Sequence, residues 1–284
     1  MTWTKVKAAG LVAAAAMAAA ACGRAEAAPA VNAALAAPPR VITVVARDFA
    51  FQAPDEVPAG LVTIQLQNRG SNLHHMAIMR LDEGKTLQDL FAAFQAGGAP
   101  PAWAHDLGGP NAPDPGSDSN ATLFLEPGNY ALLCFVDIPD RVPHVMKGMA
   151  KPLRVTPAVV PAAARAITGD VTMTLSDYTF ALSKPITRGV HTIRVENPAA
   201  QSHEVELVKL APGKTLQDLM AWMANPQGPP PGNAIGGIAG MQHGAVQSFT
   251  YDFAPGTYGL ICFLPGPDGK PHFMHGMMQQ FTVS

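Results

Sequence analysis

Lys214-Thr-Leu-Gln-Asp-Leu219 repeats Lys85-Thr-Leu-Gln-Asp-Leu90 letter for letter, and the match is one of several. Tyr130-Ala-Leu-Leu-Cys134 returns as Tyr258-Gly-Leu-Ile-Cys262, and His144-Val-Met-Lys-Gly148-Met149 as His272-Phe-Met-His-Gly276-Met277. The offset is 129 residues at the first segment (85 to 214) and 128 at the others (134 to 262), so the intervening loops differ by one residue. Such a duplication requires two related folding units, each near ordinary domain size at about 115 residues. They are expected at 41–156 and 169–284, joined by a Pro- and Ala-rich linker, 157–168.

Within a unit the dominant period is two. Val62, Ile64 and Leu66 alternate with Thr63, Gln65 and Gln67, as a half-buried strand requires. Gly (26) and Pro (27) are abundant while only 14% of residues are charged, which fits short strands joined by many turns. The expectation is an all-β chain of two tandem sandwiches, each with one short inserted helix. Thr86 and Thr215 open capping boxes, and Leu87, Leu90, Phe91 and Phe94 form a helical stripe matched by Leu216, Leu219, Met220 and Met223. Gly97-Gly98 should end the first helix. With 19 basic and 21 acidic residues the net charge is −2, so no nucleic-acid partner is expected.

The N-terminus reads as a processing signal. Lys5 and Lys7 precede an apolar run, Ala8 to Ala21, too short to span a bilayer and suited to secretion. Ala19-Ala-Ala-Cys22-Gly23 resembles a lipoprotein box, so residues 1–22 are expected to direct export and Cys22 to carry a lipid anchor. Ala25-Glu-Ala27 is the competing cleavage site, for a protein free in the periplasm. Residues 23–40 would be the tether. No transmembrane helix is expected in the mature chain. Cys134 and Cys262 then remain, one per repeat, in an oxidising compartment where cysteines usually pair. Their equivalent positions favour metal ligation over an interdomain disulfide.

The repeats supply the other ligands. In a strand Tyr130, Leu132 and Cys134 share a face, as do Tyr258, Leu260 and Cys262, so each thiol ends a buried strand. The loop beyond brings His144 and Met149, or His272 and Met277, back over the sulfur. A second imidazole comes from His74 and His203, each six residues after an Asn (Asn68, Asn197) and each heading a strand-like run. Two His, one Cys and a weak axial Met form the trigonal set of an electron-transfer copper centre. The expected ligands are His74, Cys134, His144 and Met149 in the first unit, and His203, Cys262, His272 and Met277 in the second.

With its strand run, Asn-then-His segment, Pro-Gly-x-Tyr-x-x-x-Cys strand and closing His-x-x-x-Gly-Met loop, each half resembles the cupredoxins, the blue copper domains. The resemblance implies Greek-key sandwiches with a type 1 copper at one pole of each. The nine residues between Cys and His, with Pro143 or Pro271 before the His, are similar to the long ligand loop of copper nitrite reductases. It also implies that His144 and His272 lie nearest solvent as the electron exit. Leu133, Phe135, Ile261 and Phe263 flank the cysteines, where oxidases and nitrite reductases carry a His, and no His-x-His occurs. On that ground the chain reads as no enzyme but an electron carrier, serving a redox partner protein. The competing readings are a copper trafficking or buffering protein with a copper donor or acceptor, and a metal-free surface module.

Other candidates read as structural. His105, His191 and His243 have no His counterpart in the other repeat, and His191 replaces Val62 as a hydrogen-bonded core-edge residue. His75 points to the opposite face from His74 and aligns with Glu204, which places it second to His74 as a ligand. His275, where the first repeat has Lys147, should face solvent. Met146, Met274 and Met278 are either packing residues or thioethers for Cu(I) in transit.

Overall fold

The computed structural model describes residues 38–96, 100–137, 140–160 and 165–284. The export signal, Cys22, most of the tether and the expected helix stop at Gly97-Gly98 lie outside the described residues. The first repeat builds β1 (Arg40–Arg47), β2 (Ala50–Gln52), β3 (Glu56–Pro58), β4 (Gly60–Asn68), β5 (Ala77–Leu81), α1 (Leu87–Gln95), β6 (Ala104–Gly108), β7 (Asp118–Leu125), β8 (Gly128–Leu133) and β9 (Ala150–Thr156). The second builds β10 (Val171–Ser176), β11 (Thr179–Leu182), β12 (Gly189–Glu196), β13 (His203–Leu210), α2 (Leu216–Ala224), β14 (Gly232–Met241), β15 (Val246–Phe253), β16 (Gly256–Ile261) and β17 (Met278–Val283).

The alternation read from the sequence is the alternation seen. Val62, Ile64 and Leu66 of β4 point into a sandwich core with Ile42, Val44, Leu123 and Leu132. Strands β8 and β16 are covered on both sides. Tyr130, Leu132 and Cys134 face the first core, while Ala131 and Leu133 pack beneath α1 against Leu90, Phe91 and Phe94. Likewise Tyr258, Leu260 and Cys262 face the second core and Ile261 lies beneath Leu216 and Leu219. Both capping boxes form: Thr86 Oγ1 accepts the Asp89 N–H at 3.2 Å while the Asp89 carboxylate accepts the Thr86 N–H, and Thr215 with Asp218 does the same. In the second stripe Met223 is exposed and Trp222 packs in its place, its indole N–H donating to the Gly228 carbonyl at 3.1 Å.

The repeat pattern does not show how closely the halves are joined. One sheet runs β11-β10-β12-β15-β7-β4-β1-β2 and the other β17-β16-β13-β14-β6-β5-β8-β9-β3, so each crosses from one repeat into the other. The crossings pair equivalent strands antiparallel, β7 with β15 and β6 with β14. Pro110 bridges its own repeat counterpart Ile238, flanked symmetrically by Leu107 with Met241 and Pro113 with Ile235. That register is the signature of an approximate twofold axis between the halves. Gly109 and Gly237 flank this crossing: both hold φ above +110°, and a Cβ there would strike the carbonyl of Met76 or Val205 in its own half.

Candidate metal centres

At one end of each sandwich the three expected donors converge. Cys134 Sγ lies 3.6 Å from His144 Nδ1 and 4.0 Å from His74 Nδ1, and the two Nδ1 atoms are 3.1 Å apart. In the second half Cys262 Sγ is 3.4 Å from His272 Nδ1, which is 3.0 Å from His203 Nδ1. All six side chains are buried, and each triad keeps its ligand atoms within 4.8 Å of one another, the arrangement of a site able to hold a metal ion. Both cysteines are free thiols, so the interdomain disulfide is absent.

Local chain geometry sets these positions. The buried Asn68 amide donates to the Asn72 and Pro113 carbonyls at 2.8 and 2.9 Å and fixes the turn leading to His74. Asn197 does the same through the Gln201 and Met241 carbonyls. Beyond each Cys the loop folds back: Val145 N–H donates to the Cys134 carbonyl at 2.7 Å, and Cys134 N–H to the Met149 carbonyl at 3.2 Å. A 3₁₀ turn, His144–Lys147, ends at Gly148 with φ of +98°, and His272–His275 ends at Gly276 with φ of +103°. Met149 and Met277 are fully buried in the cores that hold Cys134 and Cys262.

The residues around the donors decide their protonation. His74 Nε2 donates to Asp48 Oδ1 at 2.8 Å and His203 Nε2 to Asp177 Oδ1 at 3.0 Å, so each ring turns an unprotonated Nδ1 toward the sulfur. Burial lowers the pKa of His74 against the pull of Asp48, and burial followed by the neighbouring His203 lowers that of His272. Asp48, despite burial acting the other way, is held well below the carboxylate range by hydrogen bonds from Ser71 and His74. Desolvation pushes both Cys134 and Cys262 up to about 12, so without a cation to stabilise the thiolate each sulfur keeps its proton. Three soft or borderline donors, two imidazole Nδ1 atoms and one sulfur, converge at each buried pole. That donor chemistry fits copper.

Two site residues in each half escape the sequence reading. The β1–β2 turn, Asp48-Phe49, supplies both the carboxylate on His74 and a ring 4.9 Å from that of His144; the β10–β11 turn, Asp177-Tyr178, does the same with Tyr178 5.3 Å from His272. Asp-aromatic recurs at one repeat offset, and that recurrence was the available signal. Beneath these rings His144 and His272 are as buried as His74 and His203, so exposure does not rank the four imidazoles. His75 is outside the triad and accepts the Phe135 N–H at 2.8 Å; its equivalent Glu204 accepts that of Phe263 at the same distance. His191 bonds to Asp170 at 2.6 Å, His105 to Asp82 and His243 to the Ala199 carbonyl. His275 is exposed, bonds to Asp268 and lies over Tyr178. Among the described residues no helix is long and apolar enough to cross a membrane.

No protein-family model matches the chain, and neither does any curated protein. Among solved structures it is similar to auracyanin from the photosynthetic bacterium Roseiflexus castenholzii, with 23% identity over 41% of this chain and 97% of that one and a TM-score of 0.30. It is similar to a blue copper oxidase from Nitrosomonas europaea, with 18% identity over 87% and 86% and a TM-score of 0.26. A copper-containing nitrite reductase from Thermus scotoductus gives 12% identity over 87% and 62% and a TM-score of 0.24. The last two are enzymes, so the exclusion of catalysis drawn from the missing His beside Cys134 and Cys262 does not stand. The strand order, the paired sandwiches and the two His-Cys-His poles give this chain a cupredoxin-like fold in two domains.

Proposed function

We propose that the protein binds copper at both poles and carries electrons, with His74, Cys134 and His144 to hold the metal in the first domain, His203, Cys262 and His272 in the second, and the thioethers of Met149 and Met277, buried in the same cores, as weaker donors. The observation that carries this reading is the convergence of two Nδ1 atoms and one Sγ, twice, with a carboxylate behind one imidazole each time. Bound copper would supply one-electron cycling between Cu(II) and Cu(I). The chain's part is to hold the donors still: Asn68 and Asn197 lock the first His, the 3₁₀ turn locks the second, and Phe49 or Tyr178 keeps water off the ring. Donors fixed by their surroundings favour neither oxidation state by rearrangement, which suits electron transfer. The N-terminal signal supports action outside the cytoplasm, with a lipid at Cys22.

The visible spectrum during Cu(II) titration tests the reading. Two equivalents should each raise an intense thiolate-to-copper band in the orange-red, and Cys134→Ser or Cys262→Ser should each remove one. Full colour in the double variant would overturn it. Met146 and Met274 are 50% and 61% exposed on the turns beside the ligands, which favours copper delivery as the second reading. In that case copper should pass to a chelator through a ternary complex, with loss of Met146 and Met274 slowing the transfer.

A further inference from the structure

His75 and Glu204 each follow a ligand histidine and hold equivalent places in the repeat. Each is hydrogen-bonded to the strand carrying its cysteine. Their side chains accept the N–H of the residue after the thiol, Phe135 or Phe263, at 2.8 Å. The Glu204 N–H also donates to the Cys262 sulfur at 3.5 Å, and the His75 N–H lies near that of Cys134. Between them, across the junction of the two domains, stands Asn111. Its Nδ2 donates to Glu204 Oε2 at 3.4 Å and also to the Val205 and Ile238 carbonyls, and its side chain lies beside the His75 ring. Because His75 Nε2 accepts from Phe135, the proton sits on Nδ1, and Asn111 Oδ1 is the group that can receive it. All three residues are buried.

A continuous polar line through a dry junction costs desolvation that an apolar contact would avoid, so its course is informative. It begins beside one thiol and ends beside the other. We infer that His75, Asn111 and Glu204 form an electronic bridge between the two metal poles, so that an electron entering at one reaches the other within the same molecule. The inference rests on the copper reading above. The route runs from Cys134 through the Phe135 amide, the His75 ring, the Asn111 amide, the Glu204 carboxyl and the Phe263 amide to Cys262, covalent links joined by three hydrogen bonds and the close approach of His75 to Asn111. One electron leaves Cu(I) at one pole and reduces Cu(II) at the other. No covalent bond is made or broken, and no proton has to leave the bridge.

Two measurements test it. In the metal-free protein, nitrogen–nitrogen scalar coupling across the hydrogen bond should link the Phe135 amide to His75 Nε2, and its absence would overturn the bridge. In the copper-loaded full chain, reduction by a light pulse of less than one electron per molecule should be followed by redistribution between the two sites, at a rate independent of protein concentration. Asn111→Leu and, at a separate link, His75→Phe should slow that phase several-fold with both thiolate bands retained, the rates being compared at each variant's own measured potentials. If both bands form but redistribution depends on protein concentration, or is unchanged in either folded variant, the bridge falls and the copper reading stands. If no thiolate band forms, both fall.

Discussion

At the scale of single residues the site depends on groups that never touch the metal position. Asp48 and Asp177 hold the proton on Nε2 and so present Nδ1 as a lone pair. Asp48→Ala is expected to weaken copper binding at the first pole about 10- to 100-fold and leave the second unchanged, as read by titration of the two bands. The thiols give a pH dependence with a definite sign. Since desolvation pushes Cys134 and Cys262 up to about 12, each must shed a proton when copper binds. Between pH 6 and 8 uptake should release one proton per thiol and apparent affinity should rise about tenfold per pH unit at each site, as calorimetry in buffers of different ionisation enthalpy would show. A pH-independent affinity would mean the thiolates pre-exist. The ligands themselves were legible, because four residue types recur at matched spacing. Asp48 and Phe49 were not: their contacts with His74 and His144 depend on where a turn between two other strands points, which no local pattern encodes.

At the scale of elements, what the sequence announces is what local chemistry dictates. The capping boxes at Thr86 and Thr215 and the stripe through Leu90 are short-range patterns, and both helices form where those patterns lie. The sequence does not say that α1 covers the back of β8, so that Ala131 and Leu133 are as buried as Leu132. Met223 shows the limit from the other side. It falls at helical spacing, but the last turn of α2 turns Trp222 inward and leaves Met223 in solvent. The 3₁₀ turn that delivers His144 and Met149 rests on Gly148, whose φ of +98° is the left-handed region. A Cβ at Gly148 would meet no heavy atom within 4 Å, so the penalty of a side chain there is conformational. Gly148→Ala should therefore cost about 1–2 kcal/mol in denaturant unfolding, and Gly148→Asn less, because Asn visits this region more readily. Equal losses for the two would point to a steric cause instead.

At the scale of the whole molecule, duplication has produced an internal dimer whose two sheets are shared. The junction is where sequence reading is weakest: Pro110 meeting Ile238 is a contact between repeats, and Glu206 on β13 alternates like an outward-facing residue yet is covered by the Asn111–Asp114 segment of the other half. Glu204 and Glu206 are buried there, and Asp106 is half-buried with its Oδ1 covered. Burial pushes Asp106 up to about 8 and Glu204 up to about 7, and raises Glu206 well above its ordinary value with Glu204 adding to the effect. Asp106 Oδ1 and Glu206 Oε1 have no hydrogen-bond partner, as a protonated, uncharged acid tolerates better than a carboxylate does. The consequence for stability follows from linkage. An acid whose pKa is raised on folding binds more protons folded than unfolded between the two values, so stability is fullest below the unfolded pKa, near 4, and falls as pH climbs through the folded one. The protein should therefore lose stability steadily from about pH 5 to pH 8. Asp106→Asn removes one of the three titrations while keeping the size of the side chain, and should flatten that decline, measured as Tm against pH in the metal-free chain. If wild type and variant run parallel, Asp106 is ionised in the folded protein and the junction is wetter than its burial implies. Because both sheets cross this junction, its loss should be felt by both domains together, and thermal unfolding of the metal-free chain should stay a single transition as the pH rises.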